Sequence, residues 1–241
     1  MLRISIGGLA FFALAGIAFG QAGGAPEEEG PWSGSASLGF LSTSGNTDST
    51  SYNSAFEVSY ARNKWTHTFG GAALGAEQTD VSTSEAYAAD WKSTYDFSEH
   101  NYIFGLINWR KDRFSGVDEQ LSEAIGYGRR LINTPAHLLS AEIGVGHRSA
   151  DLSDNTSESG VIGTLGMDYV WTFSETSKFE QNIAVETGSD NTFIESVSAV
   201  RAKLLGDLAI VFSYTVRNNS DVPVGSVNTD KFTAISVEYA F

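Results

Sequence analysis

Apolar and polar residues alternate with a period of two along most of the chain after Trp32. In the last eleven residues, the odd positions from Thr233 to Phe241 carry Thr, Ile, Val, Tyr and Phe, and small or polar residues lie between them. A β-strand with one apolar and one polar face has this pattern. Because a helical period is missing between residues 32 and 241, the pattern predicts an all-β domain.

Clusters of Gly, Asn, Asp and Ser divide this region into segments of strand length. The alternation predicts twelve strands, at about 32–42, 50–62, 65–77, 85–97, 101–114, 120–131, 137–148, 158–171, 178–187, 193–204, 208–216 and 231–241. The facing is clear in most of them and mixed in the fifth, sixth and tenth. An even number of strands is typical of bacterial outer-membrane barrels. We therefore predict an antiparallel transmembrane β-barrel of about 12 strands, with both termini periplasmic.

Aromatic residues add a second pattern. In the predicted topology one aromatic band, the periplasmic girdle, contains Trp32, Trp65, Tyr95, Phe97, Trp171, Tyr239 and Phe241. A band toward the other end contains Phe40, Tyr52, Tyr87, Phe114, Phe193 and Tyr214. Two aromatic bands around an aliphatic zone are typical of membrane interfaces. A soluble sandwich or lipocalin-like barrel, the alternative, would bury its apolar face and would rarely need so many long strands.

The first 22 residues have the three parts of a secretory signal. Arg3 gives a short positive start, residues 4–17 are apolar, and small residues follow at Ala18, Gly20 and Ala22. The apolar run is shorter than a membrane-spanning helix requires. We predict a signal peptide over 1–22, with cleavage after Gly20 or Ala22, a disordered leader over 23–31 and a single barrel domain over 32–241. The predicted location is the outer membrane of a Gram-negative bacterium.

Charge and cysteine content narrow the possible partners. The formal net charge is −14 and the chain has no cysteine. Nucleic-acid binding needs clustered Lys and Arg, so no nucleic-acid partner is expected. Neither a disulfide nor a thiolate metal site is available. The expected partners are outer-membrane lipid, and ions or small solutes in the lumen.

The polar face of the strands carries many charged residues. The predicted lumen-lining candidates are Glu57, Asp90, Lys92, Asp96, Glu142, Arg148, Asp168, Glu180, Glu186 and Glu238. Further positive charge comes from Arg110, Lys111, Arg113, Arg129 and Arg130, whose facing is uncertain. Such a lumen can conduct cations or be filled by salt bridges, and a barrel of intermediate size permits both.

The sequence gives only weak indications of a catalytic or metal-binding site. His67 is predicted on the lipid-facing side, where a phospholipase would need a His–Ser pair, but the sequence places no partner at a suitable spacing. Acidic loops at 46–48, 151–154 and 220–221 could bind Ca²⁺, but they lack the full ligand spacing and are explained equally by turn formation. We predict no catalytic residue, no metal site and no cofactor.

Several short motifs carry a resemblance to a known family. They are the opening segment Trp32–Gly39, the turn Thr43–Thr47, the segment Asn218–Gly225, Asp230 and the final Phe241. With these the chain resembles the YdiY-like salt-induced outer-membrane proteins, a domain family of unknown function. The resemblance implies an outer-membrane location over essentially the whole mature chain. Phe241 also resembles the terminal aromatic residue through which the barrel-insertion machinery recognises outer-membrane barrels.

These observations leave three functions open. The first is a narrow, weakly cation-selective channel for ions or small solutes. The second is a structural or osmotic-stress barrel with a closed, salt-bridged lumen. A lipid hydrolase is a minor third possibility, and the main expectation is a protein that is not an enzyme.

Overall fold

A computed structural model describes residues 30–43, 49–78, 81–112, 117–222 and 228–241. The predicted signal peptide and nearly all of the predicted leader lie outside these residues. The strands are β1 (Trp32–Thr43), β2 (Ser49–Arg62), β3 (Trp65–Gln78), β4 (Val81–Asp96), β5 (Asn101–Asp112), β6 (Val117–Asn133), β7 (His137–Leu152), β8 (Ser157–Ser174), β9 (Ser177–Thr187), β10 (Thr192–Leu205), β11 (Leu208–Asn219) and β12 (Thr229–Ala240).

Each strand pairs antiparallel with its sequence neighbours, and β1 pairs with β12, so the sheet is a closed barrel. The seam is short, with Cα partners from Ser35–Ala240 to Leu38–Val237. It continues through two hydrogen bonds between Gly34 and Phe241, in which the backbone N–H of each residue donates to the carbonyl of the other at 2.8 and 2.9 Å. A Cβ on Gly34 would lie 2.7 Å from the Phe241 ring at the seam and 2.6 Å from the Glu57 carbonyl oxygen on β2, so this position requires glycine. The predicted all-β fold, a closed antiparallel barrel of twelve strands, is confirmed.

One end of the barrel holds the start of β1 and the end of β12, and we call it the terminal rim; the opposite end is the loop rim. At the terminal rim, 63–64, 175–176 and 206–207 are two-residue turns. Asn63 and Gly206 have φ values of 57° and 58° there. These are left-handed conformations, which Asn and Gly adopt most readily.

The strands extend further toward the loop rim than their sequence pattern predicts. β4 begins at Val81 and not near residue 85, and β7 continues to Leu152, four residues beyond the predicted end. Backbone pairing continues here without an apolar outer face, because a strand needs that face only at membrane depth. The alternation therefore marks the membrane-crossing part of each strand and not its full length.

The outer wall is apolar at mid-height. Large aliphatic side chains are exposed there, among them Leu38, Ile125, Ile143, Val145, Val161, Leu165, Ile235 and Val237. Because cross-strand partners share a face, the register places all of them on the outside. A wall of this kind suits lipid and would be unfavourable in water.

The mixed alternation of β5, β6 and β10 has a structural cause. Tyr102 and Phe104 on β5, and Phe193 and Val197 on β10, point into the barrel and are buried. Apolar side chains thus occur on both faces of these strands. Phe193 was predicted in an outer aromatic band, and that prediction is wrong: its ring lies 4.1 Å from the guanidinium carbon of Arg110 in the lumen.

Candidate functional site: the ion-paired lumen

The register places all ten lumen-lining candidates on the inner face. Glu57 is the cross-strand partner of Gly70, and Gly70 is the partner of Asp90, so all three share the inner face. The same succession of partners continues from Asp90 to Asn108, Ser122 and Arg148. Glu142, Asp168, Glu180, Glu186 and Glu238 occupy the matching face of β7, β8, β9 and β12. Of the uncertain basic residues, Arg110 and Arg130 point inward, Lys111 and Arg129 point outward, and Arg113 lies outside the described residues.

The centre of the lumen is crossed by an ion pair between β4 and β7. Lys92 Nζ donates to both carboxylate oxygens of Glu142, at 2.6 and 2.8 Å, and the Tyr102 hydroxyl donates to the same carboxylate at 2.8 Å. The two charged side chains are only 5% and 9% exposed, and Tyr102 is completely buried. We call these three residues the central plug. Because β4 and β7 are not neighbours in the sheet, the plug joins separate parts of the wall.

A second cluster lies toward the loop rim. Glu186 accepts hydrogen bonds from Arg110 at 3.3 Å, and from Gln120 and Ser122 at 3.1 Å each. Arg217 Nε donates to Glu195 at 2.5 Å. These side chains from β5, β6, β9, β10 and β11 hold several strands together with charge-assisted hydrogen bonds.

A third cluster lies toward the terminal rim. Arg201 pairs with Glu238, and with Glu180 at 3.2 Å. Lys178 also contacts Glu180, at 2.8 Å. Arg130 and Asp96 form a separate pair at 2.8 Å. Ionic contacts therefore span the lumen from rim to rim.

One part of the inner wall is different. Inward positions on β1–β3 carry small residues, including Ser35, Ser37, Ala55, Gly70 and Ala72. Glu57 and Asp90 lie on either side of Gly70 and are half-buried, and no cation lies within salt-bridge distance of either among the described residues. We call this region the small-residue wall. It combines small side chains with two inward-facing carboxyl groups.

Sequence reasoning missed several members of these clusters. Glu195, Arg201 and Arg217 were not predicted in the lumen, although they provide three of the cross-strand contacts. If the Ile194 side chain is taken to face outward, the period of two along β10 places Glu195 and Arg201 on the inner face. Their partners could not have been found, because pairing across the barrel depends on strand shear.

A glycine positions the central plug. Gly128 is the cross-strand partner of both Tyr102 and Glu142, and a Cβ there would overlap the Tyr102 ring. Gly128→Ala is therefore expected to destabilise the folded barrel by about 1–3 kcal/mol, since the ring must move. Gly105→Ala is the matched control, because that Cβ would meet nothing within 4 Å. Urea unfolding in phospholipid vesicles measures both variants, and equal stability would contradict this role of Gly128.

The seven predicted girdle residues lie together at the terminal rim. Six of them are at least 40% exposed, and Tyr95 is half-buried. Ring contacts connect them laterally: Trp32 with Tyr60 at 4.7 Å, Trp65 with Tyr95 at 4.9 Å, and Tyr239 with Phe241 at 6.4 Å between centroids. At the loop rim, Phe40, Tyr52, Tyr87 and Tyr214 are exposed on the outer face, and Phe114 is outside the described residues.

Among the described residues, His67 makes no hydrogen bond to a serine, although Ser93 is its cross-strand Cα partner. Its ring stacks on Trp65 at 5.8 Å and lies 6.5 Å from Trp91. Its Nδ1 atom is buried without a hydrogen-bond partner in the described structure. In the parts of the chain that the structure describes, no group of three His, Cys, Asp or Glu could hold a metal ion. Within the same residues, no helix is long and apolar enough to cross a membrane.

The chain has a limited likeness to solved structures of a porin and of an autotransporter domain. The NanC porin structure matches with a TM-score of 0.49 and 6% identity, over 86% of this chain and 97% of that chain. The translocator domain of the autotransporter NalP from Neisseria meningitidis matches with a TM-score of 0.47 and 12% identity, over 87% of each chain.

Sequence comparison identifies the family. The chain is 30% identical to the "Uncharacterized protein YdiY" of Escherichia coli (strain K12) over 211 residues, which cover 87% of this chain and 83% of that protein. A family model described as "Protein of unknown function, DUF481" matches residues 36–241, nearly the whole barrel. The predicted YdiY-like resemblance is thereby confirmed, and this chain of twelve barrel strands belongs to the DUF481 family.

Proposed function

We propose that the protein is a narrow, cation-preferring channel of the outer membrane, exported by the predicted signal peptide over 1–22. In this proposal both termini face the periplasm, and the closing strand β12 is the segment that the insertion machinery engages. The observation that carries the channel function is the small-residue wall. Glu57 and Asp90 are half-buried carboxyl groups that face the lumen, and no cation of the described residues lies within salt-bridge distance of either.

The central plug supports a narrow path and not an open pore. Lys92, Glu142 and Tyr102 occupy the lumen on the side of β4–β7, whereas the inner wall formed by β1–β3 carries small side chains and takes part in none of the ion pairs of the described residues. Carboxylates beside a confined aqueous path raise the local concentration of cations and repel anions. Small ions fit this picture better than bulky solutes.

Planar-bilayer recording on the refolded barrel tests the channel. In a KCl gradient the wild type is expected to show a small conductance with K⁺ preferred over Cl⁻. The double variant Glu57→Gln, Asp90→Asn should keep the conductance and lose most of the preference for K⁺, because the two carboxyl groups that attract cations are replaced by neutral amides. Glu175→Gln, which removes one charge from the turn 175–176 at the terminal rim, is the control and should change the selectivity little.

The central plug also favours a second candidate, a closed barrel that acts as a structural or salt-stress element of the envelope. Complete burial of Tyr102 and near-complete burial of Lys92 are the observations behind it. This candidate expects no conductance above the bare membrane from the wild type. It also expects a deletion strain with poor osmotic tolerance and normal uptake of small solutes.

A further inference from the structure

A polar group on the lipid-facing side of the barrel is used by neither candidate function. It consists of Glu123 on β6, His147 on β7 and Ser159 on β8, and we call it the outer-wall triad. The Ser159 hydroxyl lies 3.3 Å from His147 Nε2. Glu123 is the cross-strand Cα partner of His147. All three residues are exposed on the outer face.

The order of the three groups is the one that nucleophilic catalysis needs. Nε2 of His147 faces the hydroxyl, which leaves Nδ1 for a group that orients the ring. Directly opposite residues on antiparallel strands have Cβ atoms roughly 4.5–5.5 Å apart, so a change of rotamer brings the Glu123 carboxylate to the ring. Glu123 makes no hydrogen bond or ion pair in the described structure, whereas the nearby Glu119 accepts hydrogen bonds from Trp109 and Lys111.

The position of the triad on the wall points to its substrate. The next outward-facing pair toward the terminal rim is Ile125 with Val145. Both residues belong to the aliphatic zone, and both are more than half exposed. On the other side, Glu119 pairs with Asp151, and Asp151 accepts a hydrogen bond from Ser157 at 2.6 Å. The triad therefore lies where the apolar zone meets the polar end of the wall. Ester bonds of membrane lipids lie at this depth, between acyl chains and head groups.

We propose that the outer-wall triad hydrolyses acyl esters of lipids in the leaflet next to the loop rim. Ser159 Oγ attacks the ester carbonyl carbon, and His147 Nε2 takes the hydroxyl proton and passes it to the departing alkoxide. Water then attacks the acyl-serine, with His147 as the base again, and the acid is released while Ser159 regains its proton. The net reaction converts an ester and water to a carboxylic acid and an alcohol. Glu123 is a positioning residue for His147.

The experiment uses the full barrel refolded into two kinds of vesicle. One contains phosphatidylethanolamine and phosphatidylglycerol, and the other also contains lipopolysaccharide, so that glycerophospholipid and acylated saccharolipid esters can be told apart. Fatty-acid release is measured in both, and a fluorophosphonate probe is used to label the nucleophile. We expect release from at least one vesicle type and labelling at Ser159. A wild-type barrel that neither labels nor releases fatty acid overturns the proposal.

Variants separate chemistry from folding, which is checked by heat-modifiable migration on gels. Ser159→Ala and His147→Gln should each lose roughly 10³-fold in rate or more. Ser157→Ala is the matched control on the same strand and should retain activity. Glu123→Gln should lower kcat about 10-fold at unchanged KM, with partial recovery in Glu123→Asp. Labelling that persists in Ser159→Ala would also overturn the proposal, and none of these results depends on whether the lumen conducts.

Discussion

The substitution Leu165→Arg is expected to prevent stable assembly of the barrel. Leu165 lies on the outer face of β8 between its cross-strand partners Ile143 and Val185, and its side chain is 53% exposed. If this face contacts lipid, an arginine near the membrane midplane costs about 2–4 kcal/mol, because the hydrocarbon cannot solvate its charge. Folding into phospholipid vesicles, followed by heat-modifiable mobility and urea unfolding, measures the loss.

Leu205→Arg provides a control with the same change of side chain at a different depth. Leu205 is the last residue of β10, beside the turn 206–207 at the terminal rim, and it is 79% exposed. Arginine at the interface reaches water and costs about 0–1 kcal/mol. Equal destabilisation by the two variants would show that depth is irrelevant, and the assignment of the outer wall to lipid would then be wrong.

The barrel could be predicted from the sequence because each strand must satisfy two different solvents. A lipid-facing position demands an apolar side chain, and its neighbour on the strand faces a polar interior, so the alternation survives in the sequence. β11 illustrates this, with Leu208, Ile210, Phe212 and Tyr214 outward and Ser213 and Thr215 inward. The same reasoning found the terminal aromatic rim, since interfacial depth selects Trp and Tyr.

The contents of the lumen could be predicted only as a face and not as contacts. Lys92 and Glu142 were both recognised as inward residues, but their pairing depends on barrel closure and shear, which single-strand patterns do not encode. Inward apolar residues such as Phe193 reverse the expected facing for a similar reason. Because the interior is packed, it accepts aromatic side chains, which a wide water-filled pore would not favour.

The outer-wall triad shows a related limit. His147 and Ser159 are twelve residues apart and lie on different strands, and their contact depends on the register of β7 with β8. The sequence offered His67 as the lipid-facing histidine. Its ring lies beside aromatic rings and makes no hydrogen bond to Ser93, its cross-strand partner on β4, in the described structure. A search for a serine on the adjacent strand would require the register, which becomes available only with the structure.

The Lys92–Glu142 pair provides the second prediction of large effect. Replacing Lys92 by Met leaves the Glu142 carboxylate in a buried site with only the Tyr102 hydroxyl as a known donor. Removing one partner of a buried pair costs about 3–5 kcal/mol, because the remaining charge is desolvated without compensation. Glu142→Met should also be destabilising, since Lys92 Nζ then loses both of its hydrogen bonds to that carboxylate.

The double variant Lys92→Met, Glu142→Met removes both charges and keeps the lumen filled. Replacement of a whole buried pair by apolar residues is often neutral or stabilising, so the double variant should be more stable than either single one. Urea unfolding of the four proteins in the same vesicles gives the coupling energy directly. Additive losses would mean that the two charges act independently, in which case the plug is not an ion pair in the membrane. Recovery would show that the pair fixes how β4 and β7 meet inside the barrel, and that the barrel does not depend on it for net stability.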